Sequence, residues 1–253
     1  LLGICSNQPE LVNPIFVKND KWPVNVVCHR GLNKLAPENS IASTLLAFGF
    51  GFSHVEIDVR ETLDNELVVL HDKTLNRTSN IKGEISKFNS NLLNKIDLGE
   101  KYNSSFTTQP LPLLKQIIEI AVLYEQFLYV EIKEAEVDRV MRLIDNYNYL
   151  HKCLFWSEDK KIINDIINCK FKIKYMLRRQ DFNKLEDIIE YYNPHVIEYT
   201  INDDLNELLI VQESKIKTMI AYMGANEKIF DKIIKLKVDY VNIDQPILFS
   251  KLY

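Results

Sequence analysis

The chain has 253 residues, with 31 Lys and Arg against 35 Asp and Glu, so its formal charge at neutral pH is −4. That balance argues against a nucleic-acid surface, and 46% hydrophobic with 26% charged residues is the composition of a domain with a core, not of a disordered tail or a membrane bundle. No run of about 18 apolar residues is present to span a bilayer, and Cys5, Cys28, Cys153 and Cys169 show neither the spacing of a zinc site nor the density of a disulfide scaffold.

The N-terminal Leu2-Gly3-Ile4-Cys5 bears a faint likeness to the box that precedes a lipid-modified bacterial cysteine. A secreted, periplasmic or envelope-attached protein is therefore expected ahead of a cytoplasmic one. Apolar runs of strand length then recur at 24–28, 55–59, 127–132, 153–156, 173–177, 196–200, 218–222 and 240–243. Several are apolar at nearly every position, as strands of a parallel sheet covered on both faces are. Between them, 40–50, 112–124, 137–149, 160–167, 182–191, 204–211 and 227–236 carry apolar residues at spacings of three and four, which predicts helices. Strands alternating with helices over this length predict one closed (β/α)8 TIM barrel spanning 1–253. One apolar run, 67–70, starts too soon after Arg60 for a parallel crossover. It reads as the return arm of a hairpin turning at Asp64-Asn65. The polar stretch that follows, with Gly83 and Gly99 as turn residues, makes 61–110 a hairpin and a small insertion over the barrel mouth.

Glu56 and Asp58 lie two apart on the second strand and so share a face, while Val55, Ile57 and Val59 take the other. The apolar set suits the helix layer, which turns both carboxylates into the barrel. Buried unpaired carboxylates cost on the order of several kcal/mol, so positive charge must accompany them. Glu131 adds a third from the neighbouring strand. Three convergent carboxylates form a hard oxygen cage suited to one divalent cation, Mg²⁺ or Ca²⁺, whereas zinc favours His or Cys. Arg30 and Lys133, at the same rim, are placed to hold an anion beside that cation. His29 ends the first strand and His71 returns to the mouth on the hairpin. Histidines of ordinary pKa suit proton transfer there, at the C-terminal ends of the strands where barrel active sites are built. His54, His151 and His195 fall at the opposite end and are set aside. Asp244 ends the last strand, either as a rim hydrogen bonder or as part of the site.

As a set, these segments strongly resemble the glycerophosphodiester phosphodiesterase family. The resemblance runs over about residues 24–248, through His29-Arg30-Gly31, Pro37-Glu38-Asn39-Ser40, Glu56-Ile57-Asp58-Val59, His71-Asp72-Lys73-Thr74-Leu75-Asn76-Arg77-Thr78, Leu98-Gly99, Glu131-Ile132-Lys133 and Asp244-Gln245-Pro246. It implies a TIM barrel with an inserted segment after the second strand and cation-dependent cleavage of small phosphodiesters to glycerol 3-phosphate and an alcohol. It also implies His29 and His71 as the general acid/base pair, Glu56, Asp58 and Glu131 as metal ligands, and Arg30 and Lys133 as phosphate contacts. Where the family usually shows a tryptophan in its seventh strand, Tyr222 stands here and is expected to wall the substrate pocket. Tyr102 and Phe106 either line the groove or form a small local core. The alternatives are a lysophospholipase D-like or phosphoinositide-type phosphodiesterase on the same barrel and, last, a non-catalytic binding protein.

Overall fold

The computed structural model describes residues 24–103, 106 and 108–252, so the Cys5 box lies outside the described residues. The parallel strands are β1 (Asn25–Cys28), β2 (His54–Glu61), β4 (Phe127–Glu134), β5 (Cys153–Trp156), β6 (Lys174–Arg178), β7 (Val196–Thr200), β8 (Lys217–Tyr222) and β9 (Tyr240–Ile243), with β3 (Leu67–Val69) as an antiparallel addition to β2. Their order is β1-β9-β8-β7-β6-β5-β4-β2, and pairing of β1 with β2 closes the ring: a TIM barrel.

Strand alternation sorts the side chains into two cores. Val55, Ile57 and Val59 of β2, Leu128, Val130 and Ile132 of β4 and Ile220 of β8 pack outward against the helices. Val27, Tyr129, Trp156, Met176, Val196 and Met219 fill the barrel interior. Helices start where side chains can satisfy free backbone N–H groups. Ser40 accepts from the Ser43 amide ahead of helix Ile41–Gly49, and Asp159 accepts from the Lys161 and Ile162 amides ahead of helix Lys160–Ile167.

Two expectations need correction. The predicted helix 182–191 shrinks to a turn at Leu185–Asp187 that runs on as a π-helical turn, Ile188–Tyr192. Arg179 donates to the Phe182 carbonyl at 2.7 Å and is itself clamped by Glu207 at 2.6 and 2.9 Å, which holds Phe182 extended and delays the helix start. The stretch after the hairpin is also less polar in effect than it looks. Val68, Leu70, Leu75, Ile85, Leu93, Ile96, Leu98 and Leu111 form a second buried cluster of its own. Gly99 is needed there because the Phe106 carbonyl occupies the place where a Cβ would stand.

Candidate active site

Register places the acidic groups. Inward-facing Glu56 and Asp58 of β2 lie beside inward-facing Tyr129 and Glu131 of β4, with Asp58 directly opposite Glu131. Oxygens of Glu56, Asp58 and Glu131 all lie within 4.8 Å of one another, and the three residues are 2%, 1% and 8% exposed. Burial first, then the neighbouring carboxylates, pushes the Glu56 carboxyl well up, and the same causes push Glu131 up to about 8. Three such groups need a cation to be ionised together. Two polar atoms aimed into the cluster, Glu56 Oε1 and Asp58 Oδ1, are buried without a hydrogen-bond partner. Hard oxygens lacking donors fit Mg²⁺ or Ca²⁺, which take oxygen ligands and complete their shells with water.

Protein cations border the cluster without filling it. Arg30 sits in the left-handed region at φ 55°, just after β1. That turn aims its backbone N–H at Glu56 Oε2 (2.9 Å), and its guanidinium lies 3.3 Å from Asp58 Oδ2. Lys133, two residues beyond Glu131 and on the same face, pairs with Glu131 and lies 3.8 Å from Asp58 and 3.5 Å from Glu158. Its ammonium is buried, and the attraction of Glu131 and Asp58 outweighs desolvation to raise its pKa.

Both histidines are oriented by an aspartate. His29 Nδ1 lies 2.7 Å from Asp244 Oδ1, and His71 Nδ1 lies 2.7 Å from Asp72 Oδ1. Burial works to raise the Asp244 carboxyl, yet hydrogen bonds from His29 and Lys34 hold it well below the usual range. Asp72 is held low chiefly by Arg77. Ionised carboxylates only accept, so each Nδ1 carries the proton and each Nε2 is left for the site. His29 Nε2 lies 3.9 Å from Glu56. His71 reaches the mouth because the antiparallel pairing continues through a Leu70 N–H bond to the Asp58 carbonyl at 2.9 Å. Burial shifts the His71 pKa downward.

The structure thus gathers His29, Arg30, Glu56, Asp58, His71, Glu131 and Lys133 at one mouth, with Asp244 behind His29. Tyr222, expected as an aromatic wall, is not among these residues and packs toward the helix layer. It has the parity of outward-facing Ile220, packs on Phe230 at 5.4 Å between ring centres, and accepts from the Asn226 amide at 3.3 Å. Tyr102 pairs edge-on with Phe106 at 5.3 Å and also lines a pocket of about 230 Å³ with His29, Glu38, Arg77 and Asp244. His54 and His195 line a separate cavity of about 600 Å³ at the opposite end of the barrel, where burial and Lys174 lower the His54 pKa to about 4.

Three supporting residues had no role assigned from sequence, although Glu38 and Asn39 stand in the Pro37-Glu38-Asn39-Ser40 motif. Asn39, at φ 55°, donates to Asp58 Oδ2 at 2.7 Å and accepts from the Asp58 amide at 3.2 Å. Glu38 receives Arg30 at 2.9 Å, and inward-facing Arg60 donates to the His71 carbonyl at 2.9 Å. For Arg60 the signal was the pattern Glu56-x-Asp58-x-Arg60, a third charge of the same parity.

Comparison with known proteins points to one family and one fold. Residues 29–178, more than half of the chain, match the glycerophosphoryl diester phosphodiesterase family. The chain is 31% identical over 147 residues to the glycerophosphodiester phosphodiesterase of Caldanaerobacter subterraneus subsp. tengcongensis, covering 56% of this chain and 60% of that one. It is 30% identical over 111 residues to the glycerophosphodiester phosphodiesterase of Bacillus altitudinis, covering 44% and 45%. The matched stretches therefore span about half the length of those relatives. The crystal structure of a glycerophosphodiester phosphodiesterase from Agrobacterium tumefaciens superposes with a TM-score of 0.78 at 26% identity, over 90% of this chain and 99% of that one. A phosphodiesterase from Oleispira antarctica, in complex with the product sn-glycerol-3-phosphate, has the same fold at TM-score 0.79 and 22% identity, over 90% and 96%. By the family match over more than half of its length, the chain belongs to the glycerophosphoryl diester phosphodiesterase family.

Proposed function

We propose that this chain hydrolyses glycerophosphodiesters to glycerol 3-phosphate and an alcohol at the β1–β2–β4 mouth, with a divalent cation held by Glu56, Asp58 and Glu131. The observation that carries the reading is one buried three-carboxylate cluster flanked by two Asp-oriented histidines and two cations. A bound cation supplies neutralisation of the charge that builds on the phosphate as phosphorus is attacked. Arg30 and Lys133 bind the phosphate from either side of the carboxylates and orient it for in-line displacement. One histidine, neutral with Nε2 bare, takes the proton of the attacking water or glycerol hydroxyl, and the other, as the imidazolium, delivers its Nε2 proton to the departing alkoxide. Asp72 and Asp244 accept from Nδ1 of each ring, which turns Nε2 toward the site and stabilises the imidazolium form. The burial of Glu56 and Asp58 excludes bulk water and strengthens each of these interactions.

The test is a panel of glycerophosphodiesters incubated with Mg²⁺, with Ca²⁺ or with chelator, reading released glycerol 3-phosphate. Release with cation and none with chelator is expected. Phosphorus NMR of the same reactions separates attack by water from attack by the neighbouring glycerol hydroxyl, which forms a cyclic phosphate first. Undiminished release in chelator would overturn the cation assignment, and no release from any diester would overturn the activity.

A further inference from the structure

The guanidinium of Arg77 spans two carboxylates that each hold a different member of the site. Its Nε and Nη2 donate to Asp72 Oδ2 and Oδ1, both at 2.8 Å. Its Nη1 and Nη2 donate to Glu38 Oε2 and Oε1 at 2.7 and 2.8 Å. The same Asp72 Oδ1 faces His71 Nδ1 at 2.7 Å, and the same Glu38 Oε1 receives Arg30 at 2.9 Å. Arg30 in turn touches Asp58. One side chain from the insertion thus joins the loop after β1, which carries Arg30, to the hairpin return, which carries His71.

We propose that Arg77 is a positioning residue for the proposed reaction, fixing His71 and Arg30 relative to each other across the mouth through Asp72 and Glu38. The inference rests on the activity proposed above. Chemistry favours arginine for the task, since a planar fork can meet two carboxylates in bidentate fashion while a lysine ammonium is a single point charge. The Arg77 side chain is 46% exposed, so solvent screens its ion pairs and discounts what they add to stability. Beyond that share it adds geometry, because it pins the chain segment between His71 and the insertion core at the point where that segment meets the barrel loop.

The test uses the full chain with Mg²⁺ present and compares wild type, Arg77→Ala and Arg77→Lys. Nitrogen-edited NMR of the histidines reads the Nδ1–H protons of His71 and His29, assigned by their loss in His71→Ala and His29→Ala. In both Arg77 variants the His71 signal should exchange away with solvent, while the His29 signal, held by Asp244, stays. In kinetics on a glycerophosphodiester, Arg77→Ala should lower kcat at least tenfold with KM within threefold, and added guanidinium should restore part of kcat in that variant alone. An unchanged His71 signal, loss of both histidine signals together, or a kcat within threefold of wild type would each overturn the proposal. A rise in KM without loss of kcat would instead make Arg77 a substrate contact, which also overturns it. If wild type releases no glycerol 3-phosphate, the proposed activity falls, and the NMR comparison still decides whether Arg77 orients His71.

Discussion

Glu56, Asp58 and Glu131 are poor residues to bury unless something binds them, and that conflict yields opposite expectations for stability and affinity. Asp58→Asn removes one hard anionic ligand, so calorimetric titration should show weaker Mg²⁺ or Ca²⁺ binding. In chelator the same variant should melt at a higher temperature than wild type, because one of three mutually repelling buried carboxylates is gone. Asn39→Ala leaves the ligands intact but frees Asp58, and should cost about 10–100-fold in cation affinity, the usual effect of removing a group that orients a ligand. His29→Ala and His71→Ala should each lower kcat by about two to four orders of magnitude with an unchanged melt. Asp72 gives a pH signature. Arg77, then His71, holds its folded pKa below the unfolded value of about 3.9. Its contribution to stability is therefore complete above that value and is lost as pH falls toward the folded one. Urea unfolding of Asp72→Asn should show destabilisation relative to wild type at pH 7, and the gap should narrow below about pH 4.

The insertion is an element with its own core, and this decides how firmly it holds His71. Leu75 is fully buried in the second apolar cluster, only four residues beyond His71 in the chain. Leu75→Ala should destabilise by about 2–5 kcal/mol by urea unfolding, as large-to-small substitutions in packed cores do. It should also speed proteolytic cleavage within 73–110, while Leu123→Ala, at a 77% exposed position of helix Leu114–Tyr124, should do neither. The apolar spacing in 73–110 has no single period, so the cluster is invisible to pattern reading. It arises from two short 3₁₀ turns, Ile85–Lys87 and Ser90–Lys95, folded back on β3. The shortened helix after β6 has a similar origin, in the Arg179–Glu207 clamp between segments 28 residues apart.

At the scale of the whole molecule, the charged groups gather where the proposed reaction would hold its phosphate and cation, and Tyr222 packs on the helix layer. A clamp on the common part of the substrate gives binding shared by all members of a series, and discrimination needs contacts to the variable part. Glycerophosphocholine, glycerophosphoethanolamine and glycerophosphoglycerol should therefore differ in kcat/KM by roughly tenfold or less, about 1.4 kcal/mol. Lysophosphatidylcholine should be a poor substrate in the same series, and a strong preference for it would shift the reading to a phospholipase-like enzyme.

Strand periodicity was enough to identify the barrel, the inward parity of Glu56, Asp58 and Glu131, and the hairpin that returns His71, because each follows from spacing within one segment and from how parallel strands must connect. The same alternation also contained the outward turn of Tyr222, which shares the parity of Ile220. The partners of those groups were set only by tertiary folding. Asp244 reaches His29 across 215 positions, Asn39 reaches Asp58 across 19, and Arg77 reaches Glu38 across 39. No periodic signal links residues in loops of different βα units. They meet because closing the barrel brings the C-terminal ends of β9, β1, β2 and β4 side by side, where the buried charge of one loop is met by the polar groups of the next.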